Sequence, residues 1–435
     1  MKIHLQSYLL RINLNKDKMK KVYLALATLI GSCSLAQAQF ADDSVSIGAG
    51  YTNQSYYSLE NGEIDNIDNT DWDLAFSTGG YGYTFRVNGG KGTTAWLYPN
   101  GDTSAWNTVD TSGITTWSKL TNSIAYWSVG ALSKPADPND AFDMGWGVYD
   151  LTTHHVTGDR IFILQTRGGN YKKLVVESLI SGVYTLKMAD LNGSNETTVD
   201  LTKANYADKN FGYYDIDNAQ ALDREPYSSD WDLVFTSYAE PIVGYGPYSV
   251  TGVLANAGIE LMMLYPINDP FSDQDTLQGT FTDSIATIGR EWKAYDFAIG
   301  GYVIADSTAY LIKTANGDVW QMVMTGFSSS EGKFVFSKKK LDLSTGVNDV
   351  AASAGFINAY PNPAKDNLTL AFDLNGTQTV NYALYDLSGK EITNRIQTVS
   401  GFSSIQFSVS EFPAGVYFIK VAGDDFNATQ KIIIQ

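Results

Sequence analysis

The stretch TDWDLAFST at residues 70–78 returns, with few changes, as SDWDLVFTS at residues 229–237. Alternate side chains of an extended strand share a face, so Trp72, Leu74 and Phe76 are expected on one side and the aspartates on the other. Three large apolar side chains on one face predict a core strand. The aspartates are expected to cap neighbouring turns, and the strand recurs because each copy must close its own core.

Further segments repeat in the same order along the chain. The matched pairs are YYSLENGE (56–63) with YYDIDNAQ (213–220), WLYP (96–99) with MLYP (263–266), WGVYDL (146–151) with WKAYDF (292–297), and IFILQTRGGNYKKLVV (161–176) with AYLIKTANGDVWQMVM (309–324). Ordered anchors of this kind indicate a tandem duplication of a unit of roughly 150 residues. We predict a first unit at residues 39–205 and a second at residues 206–342.

The composition favours strands over helices. The chain contains 27 Tyr, 20 Phe and 9 Trp, with 39 Gly to supply turns, and aromatic residues are enriched in β-strands. Arg167 to Asn170 and Ala315 to Asp318 are Gly-containing turns between strand-like runs, the pattern of β-hairpins. No amphipathic stretch predicts a helix of convincing length, so we predict an all-β protein.

The N-terminal segment has the features of a secretory signal peptide, with Met19 as the expected true start. Two lysines precede an apolar run at residues 22–35, which ends in small residues before a predicted cleavage between Ala38 and Gln39. The apolar run is too short for a stable membrane span. The alternative is a lipoprotein signal, because residues 30–33 (IGSC) resemble a lipobox.

Charge and cysteine content exclude several classes of function. The formal net charge is −17, and the signal peptide carries more basic than acidic residues, so the mature chain is more acidic still. Such a surface repels the phosphates of nucleic acids. Cys33 is the single cysteine and is lost with the signal peptide, which excludes disulfides, zinc thiolates and a cysteine nucleophile.

The C-terminal part is predicted to be a separate small domain. Residues 343–355 are small and polar, as in a linker. Alternating apolar residues then predict an immunoglobulin-like β-sandwich over residues 356–435.

This C-terminal segment resembles the type A sorting domain of type IX secretion in Bacteroidota. The resemblance rests on motif residues in order, namely Pro361, Asn362, Pro363, Gly389, Pro413, Gly415, Tyr417 and Lys431. It implies export across the outer membrane by the type IX machinery. Its sortase would then remove residues 356–435, and the protein would be released or attached to the cell surface.

The two repeats resemble the HmuY-like proteins, β-rich haem-binding proteins of the same bacteria. The shared features are a W-D-[IL]-A-F strand at Trp72 to Phe76, an Asn-Gly segment at residues 88–90, and a late hairpin at residues 310–317. The resemblance implies haem as a ligand, with histidine or methionine bound to its iron.

The candidate haem ligands are His154, His155 and Met144. Adjacent residues in an extended segment point to opposite faces, so the two histidines do not clamp one iron from both sides. A second ligand would have to be Met144 or another methionine. The corresponding loop of the second unit contains no histidine, and a His pair in a polar loop is more often only solvated.

The alternative function is carbohydrate binding or adhesion. Four tryptophans recur in a polar part of the first unit, namely Trp96, Trp106, Trp117 and Trp127. We expect any ligand site in the first unit, near residues 96–155, because an insertion there lengthens its loops.

The sequence does not predict an enzyme or a metal site. It lacks the G-x-S-x-G, H-E-x-x-H and P-loop motifs. We therefore predict a secreted or cell-surface, non-enzymatic ligand-binding protein without a transmembrane segment in its mature chain.

Overall fold

The computed structural model describes residues 39–79, 82–341, 356–387, 389–423 and 427–435. The chain forms two compact units, which divide between Leu341 and Asp342. The predicted signal peptide with Ala38, and the predicted linker at residues 343–355, lie outside the described residues.

The first unit, here called the body, is built from strands β1 to β23. The strands are β1 Ala41–Ser46, β2 Asn53–Ser58, β3 Gly62–Asp68, β4 Leu74–Ser77, β5 Phe85–Val87, β6 Thr94–Leu97, β7 Lys119–Leu120, β8 Gly147–Tyr149, β9 Val156–Gly158, β10 Phe162–Gln165, β11 Tyr171–Ile180, β12 Val183–Asp190, β13 Thr197–Thr202, β14 Phe211–Asp215, β15 Gln220–Leu222, β16 Leu233–Ile242, β17 Gly246–Ala255, β18 Glu260–Leu264, β19 Lys293–Asp296, β20 Gly301–Ile304, β21 Ala309–Lys313, β22 Val319–Ser328 and β23 Lys333–Lys340. Short 3-10 turns lie at Ala49–Tyr51, Gly89–Lys91, Thr103–Thr108, Ile114–Thr116, Ala131–Ser133, Lys203–Tyr206 and Thr276–Gln278. The all-β prediction is confirmed.

The sheets divide the body into two halves. Half A consists of β4 to β15, in one sheet of order β13-β12-β11-β10-β6-β7 joined by β8 and β9, and a second of order β15-β14-β4-β5. Half B consists of β1 to β3 with β16 to β23, in sheets of order β1-β23-β22-β21-β18 and β17-β16-β2-β3 and a hairpin β19-β20.

Each half encloses its own hydrophobic core. Leu74, Phe76 and Trp146 lie in the core of half A, while Leu233, Phe235 and Trp292 lie at corresponding positions in the core of half B. Large aromatic side chains pack edge to face in both cores, as between Phe76 and Tyr184. This arrangement explains why the same anchor residues occur twice in the sequence.

The halves do not coincide with the sequence repeats. Strand β2 of the first repeat pairs with β16 of the second, from Leu233–Tyr57 to Phe235–Ser55. In the reverse direction β14 of the second repeat pairs with β4 of the first. The predicted boundary between residues 205 and 206 therefore separates two sequence repeats, but it does not separate two sheets or two cores.

The aspartates of the repeated motif fasten these exchanged strands. Asp73 Oδ2 accepts a hydrogen bond from the backbone N–H of Ile216, at 3.0 Å. Asp232 Oδ2 accepts the corresponding bond from the N–H of Leu59, at 2.7 Å. Each aspartate therefore caps the chain just after a strand contributed by the other repeat.

The tryptophans of the motif do not share the core face with its leucine and phenylalanine. Strand β4 begins at Leu74, so Trp72 precedes the regular alternation and packs with Ala75 and Tyr213 instead. Trp231 likewise packs with Tyr56 and Val234. The expectation that all three apolar side chains face one core is therefore corrected: the tryptophans lie between the halves.

The C-terminal unit is a five-stranded antiparallel sheet with a sandwich-like core. Its strands are β24 Phe356–Tyr360, β25 Asn367–Asp386, β26 Glu391–Ser408, β27 Gly415–Ala422 and β28 Asn427–Ile434. Alternate residues of β25, such as Leu368, Leu370 and Phe372, are buried in one cluster. The register of β25 against β26 shifts between Asp373 and Thr377, and such irregularities bend long strands.

Candidate functional site

The two halves enclose a cavity of about 80 Å³, here called the interface cavity. Both motif tryptophans line it, so the repeated sequence contributes one wall from each half. The aromatic residues in its lining are Tyr56, Trp72, Trp127, Phe211, Tyr213, Trp231 and Tyr238, and the polar ones include Gln54, Asn69, Arg86, Asn88, Asn122, Asn210, Glu225, Thr236 and Ser237.

Equivalent asparagines position the two tryptophans. Asn88 Nδ2 donates to the backbone carbonyls of Asn69 at 2.8 Å and Trp72 at 3.0 Å. Asn256 Nδ2 donates to the carbonyl of Trp231 at 2.7 Å, the corresponding contact in the other repeat. These bonds fix the backbone immediately before β4 and β16, where each tryptophan turns toward the cavity.

The glycines after Asn88 allow the halves to approach closely. A Cβ on Gly90 would lie 2.2 Å from the carbonyl oxygen of Ser237 on β16, and one on Gly89 would lie 2.7 Å from Cβ of Ala239. Any larger side chain would push the 3-10 turn of half A away from half B. The Asn-Gly-Gly segment is therefore a contact point between the halves beside the cavity.

A buried hydrogen-bond chain crosses the cavity wall. The hydroxyl of Tyr213 donates to Glu225 Oε2 at 2.6 Å and lies 3.4 Å from the hydroxyl of Tyr56, which accepts from Gln54 Nε2. Tyr56 and Tyr213 are equivalent residues of the two repeats, so their hydroxyls meet where the halves meet. Asn210 donates its backbone N–H to Glu225 Oε1 at 2.9 Å.

Burial shifts the pKa values of Glu225 and Tyr213 in this hydrogen-bond chain. Desolvation raises the pKa of Glu225 to about 7, although Arg224 and Lys209 oppose the shift. Desolvation also raises the pKa of Tyr213 far above its usual range, and the nearby Glu225 carboxyl adds to this rise. The tyrosine hydroxyls therefore remain protonated donors near neutral pH.

Arg86 holds the loop that covers one side of the cavity. Its guanidinium donates to the backbone carbonyls of Ser123 at 2.9 Å, Tyr126 at 3.0 Å and Trp127 at 3.1 Å. Desolvation lowers the pKa of Arg86 to about 9. The same guanidinium lies 4.8 Å from the centre of the Trp127 ring, a cation–π contact.

Trp127 crosses from half A to half B. Its indole N–H donates to the carbonyl of Ala255 at 2.7 Å, and its ring packs against the aromatic clusters of both halves. Among the predicted sugar-stacking tryptophans, Trp127 is the one that lines the interface cavity. Trp96 and Trp106 are buried in a cluster on the outer side of a half A sheet, with Trp117 partly buried against them.

Two polar atoms in the cavity lining have no hydrogen-bond partner in the described part of the chain. They are Nε1 of Trp231 and Oγ of Ser237, on residues that are 3% and 5% exposed. By contrast, Nε1 of the equivalent Trp72 donates to Asn69 Oδ1 at 2.8 Å. Buried polar groups are almost always paired. The half B wall of the cavity therefore has two buried polar atoms without the hydrogen-bond partner that such atoms normally have.

The predicted haem ligands lie elsewhere in half A. His154 and His155 occupy the turn between β8 and β9, where His154 is exposed and its Nδ1 lies 2.6 Å from the hydroxyl of Tyr149. His155 is half-buried, and Met144 is buried in the core of half A. None of the three lines the interface cavity, and no cluster of His, Cys, Asp or Glu suited to a metal occurs among the described residues.

The sorting-motif residues of the C-terminal unit join its first and last strands. The side chain of Asn362 donates to the carbonyl of Lys431 at 2.8 Å and accepts from the N–H of Ile433 at 2.8 Å. Gly389 adopts a positive φ of 79° in the turn before β26, and the hydroxyl of Tyr417 donates to the carbonyl of Pro413 at 2.8 Å. Pro361 and Pro363 flank Asn362, and Gly415 begins β27.

Comparison with known proteins agrees with this C-terminal assignment. Residues 358–435 match the secretion system C-terminal sorting domain. The protein is therefore a secreted protein of the type IX pathway of Bacteroidota, with the secretion machinery as a partner. No helix in the described ranges is long and apolar enough to cross a membrane.

The comparisons do not assign the body to a family. No curated protein matches the chain. A crystal structure of dimeric latent PorU from Porphyromonas gingivalis aligns at 10% identity and a TM-score of 0.17 over 87% of this chain, which covers 40% of that structure. The HmuY-like resemblance of the body stays a prediction.

Sequence reasoning missed the residues at the centre of the interface cavity. The repeated Tyr-Tyr pairs at residues 56–57 and 213–214 were a usable signal, since one tyrosine of each pair faces the cavity and the other faces a core. Glu225 and Arg86 gave no signal, because nothing in a single sequence marks a charged residue as buried.

Proposed function

We propose that this exported protein is a non-enzymatic ligand-binding protein whose ligand site is the interface cavity. The supporting observation is the pair of unpartnered polar atoms, Trp231 Nε1 and Ser237 Oγ, in an enclosed aromatic wall. Cavities lined by aromatic groups with a few converging polar groups are the usual form of small-molecule sites. A ligand oxygen would satisfy the indole N–H.

A cavity-filling substitution tests this proposal. Ala75 lines the cavity and is buried, so an Ala75→Met side chain would occupy much of its volume. We expect the mature protein to bind members of a small-molecule library in ligand-observed NMR and Ala75→Met to lose them, with a melting temperature close to that of the wild type. Binding that is unchanged in a folded Ala75→Met variant would contradict the proposal.

Haem binding of the HmuY-like type is the second candidate, at the β8–β9 hairpin. The rings of Phe142 and Tyr149 stack there at 6.5 Å, and Leu151 is exposed. The contact between Tyr149 and Nδ1 of His154 leaves Nε2 as the coordinating nitrogen, the arrangement in which a second partner orients a metal-binding imidazole.

A haem titration followed by its Soret band tests this second candidate. We expect a low-spin spectrum that is lost in His154→Ala and retained in the matched variant His155→Ala, since His155 is half-buried. Met144→Leu tests the predicted second ligand. The absence of any spectral change with the wild-type protein at micromolar haem would exclude this site.

A further inference from the structure

Two larger cavities lie beside the interface cavity, and the three together are here called the cleft. A second cavity of about 300 Å³ shares Trp127, Asn210 and Phe211 with it. A third, of about 650 Å³, shares Gly79, Lys209 and Asn210 with the second. The three cavities are therefore adjacent and increase in volume along the series, which fits an elongated ligand.

The walls of the cleft change in chemistry along its length. The interface cavity combines aromatic faces with amide groups, whereas the outer cavities combine hydroxyl, amide and glycine groups with three charged residues, Lys203, Asp208 and Lys209. The outer hydroxyl and amide residues include Ser77, Thr78, Thr84, Ser128, Asn210, Ser228 and Ser229. A sugar chain has the matching chemistry, because each ring has an apolar face that stacks on aromatic groups and an edge of hydroxyls.

The inner end selects a neutral group. The guanidinium of Arg86 is already engaged by the carbonyls of Ser123, Tyr126, Trp127 and Val129, so it does not serve as an anion receptor. The carboxylate of Glu225 is likewise engaged by Tyr213 and Asn210. The net charge of −17 also disfavours anionic polymers.

The size of the inner cavity sets what it can hold. A volume of about 80 Å³ corresponds to roughly half a dozen water-sized positions. That is enough for one edge of a sugar ring with its hydroxymethyl group, but not for a whole chain. The remaining units would lie in the outer cavities.

From these features we infer that the ligand is a neutral glycan chain bound by its terminal unit, with Trp231 Nε1 donating to a terminal hydroxyl oxygen and Ser237 Oγ bonding to the same unit. This inference rests on the proposed function, because it names the ligand class of the same site. It also assigns the two half B residues as the groups that distinguish a hydroxylated ligand from an apolar one.

Titration of the mature protein with neutral hexose oligosaccharides of increasing length tests the inference. Affinity measured by calorimetry should rise with chain length until the outer cavities are filled. Trp231→Phe keeps an aromatic ring but removes the donor, and one hydrogen bond to a neutral group corresponds to a loss of about fivefold in affinity. Ser237→Ala should give a similar loss.

The matched control is Trp292→Phe, because Trp292 lies in the core of half B outside the cavity linings and its N–H is already engaged by the carbonyl of Gly289; its affinity should stay within about twofold. Equal losses in the two tryptophan variants, both folded by circular dichroism, would overturn the assignment of Trp231. If no glycan binds while a peptide or an anionic polysaccharide binds and Ala75→Met abolishes that binding, the glycan inference fails and the proposed site stands. If nothing binds, both fail.

Discussion

Half A and half B are built from the same repeat, but only half A is continuous in sequence. All strands of half A lie between Leu74 and Leu222, whereas half B combines Ala41–Asp68 with residues 233–340. Each half nevertheless has its own core. The comparison teaches that a sequence repeat and a folding unit need not share boundaries, because the strands at the start of each repeat complete the sheets of the other.

The halves also differ in how they satisfy equivalent polar groups. Asp73 accepts from the N–H of Arg167 and the hydroxyl of Thr93, each at 3.0 Å, besides the N–H of Ile216. Asp232 accepts hydrogen bonds from the N–H of Leu59 and the hydroxyl of Ser58. Lys338 acts on the Asp232 carboxylate only through its positive charge. Trp72 is paired and Trp231 is not. At the motif tryptophans, therefore, half A is the copy with a paired indole N–H and half B the copy with an unpaired one.

The largest expected effect is the difference in stability between two fragments of the body that are cut at different positions. A fragment of residues 69–227 contains every strand of half A, whereas a fragment of residues 39–205 lacks β14 and β15 and carries β1 and β2 without their partners β23 and β16. We expect the first to fold and the second to lose its entire stability of about 5–15 kcal/mol. Dispersion of amide signals in NMR spectra distinguishes them, and a folded 39–205 fragment would refute the strand exchange.

The next effect compares the two aspartates. Asp73→Ala leaves two backbone N–H groups and the Thr93 hydroxyl without an acceptor and removes the charge facing Arg167 at 3.7 Å. We expect a loss of about 4 kcal/mol in the free energy of unfolding. Asp232→Ala should cost about 2 kcal/mol, since fewer donors are left unpaired. Urea titrations of both variants measure the difference, and equal losses would contradict the contrast between the halves.

A third effect concerns the buried acid between the halves. Because the folded pKa of Glu225 is about 7, against an ordinary value of 4.5, the folded state retains a proton that the unfolded state releases. The contribution of Glu225 to the free energy of unfolding therefore decreases as the pH rises from 4.5 to 7, by roughly 3 kcal/mol in total.

Urea unfolding at several pH values between 4.5 and 7 checks this prediction. Glu225→Gln should lack this part of the pH dependence, whereas the control Glu331→Gln, at an exposed position, should retain it. A wild-type protein and a Glu225→Gln variant with parallel profiles would show that Glu225 does not titrate in this range.

The smallest effect compares the tryptophans in the absence of ligand. Trp72→Phe leaves the buried Asn69 Oδ1 without its donor, whereas Trp231→Phe removes an N–H that has no partner. We expect Trp72→Phe to be the more destabilising by about 1 kcal/mol in the free energy of unfolding. Thermal unfolding of the two variants is the measurement, and a more stable Trp72→Phe would reverse the assignment of the unsatisfied copy.

The sequence predicted the fold class and the sorting unit well, because both depend on local patterns. Alternating apolar residues in the C-terminal segment marked strands with one buried face, and residues 367–386 form such a strand. The repeat predicted that Trp72 and Trp231 are equivalent. Their position between the halves was not predicted, since a one-residue change in where β4 starts transfers a side chain to another face.

Most residues of the interface cavity could not be predicted from the sequence. Glu225 and Tyr56 come from opposite repeats and meet only because β2 and β14 are exchanged. Local periodicity contains no information about which of two equivalent sheets a strand will join. Of the predicted region near residues 96–155, Asn122 and Trp127 line the interface cavity, and Arg86 holds the loop of Trp127 over it.

The pairing of β1 with β23 brings the first and last strands of the body together in one sheet. Ala41 lies opposite Lys338, so the two ends of the body are neighbours. The strand connectivity is that of a strand-exchanged dimer whose two copies are joined in a single chain. A circular permutant that starts at residue 69 and joins residue 341 to residue 41 by a short loop would keep every strand pair.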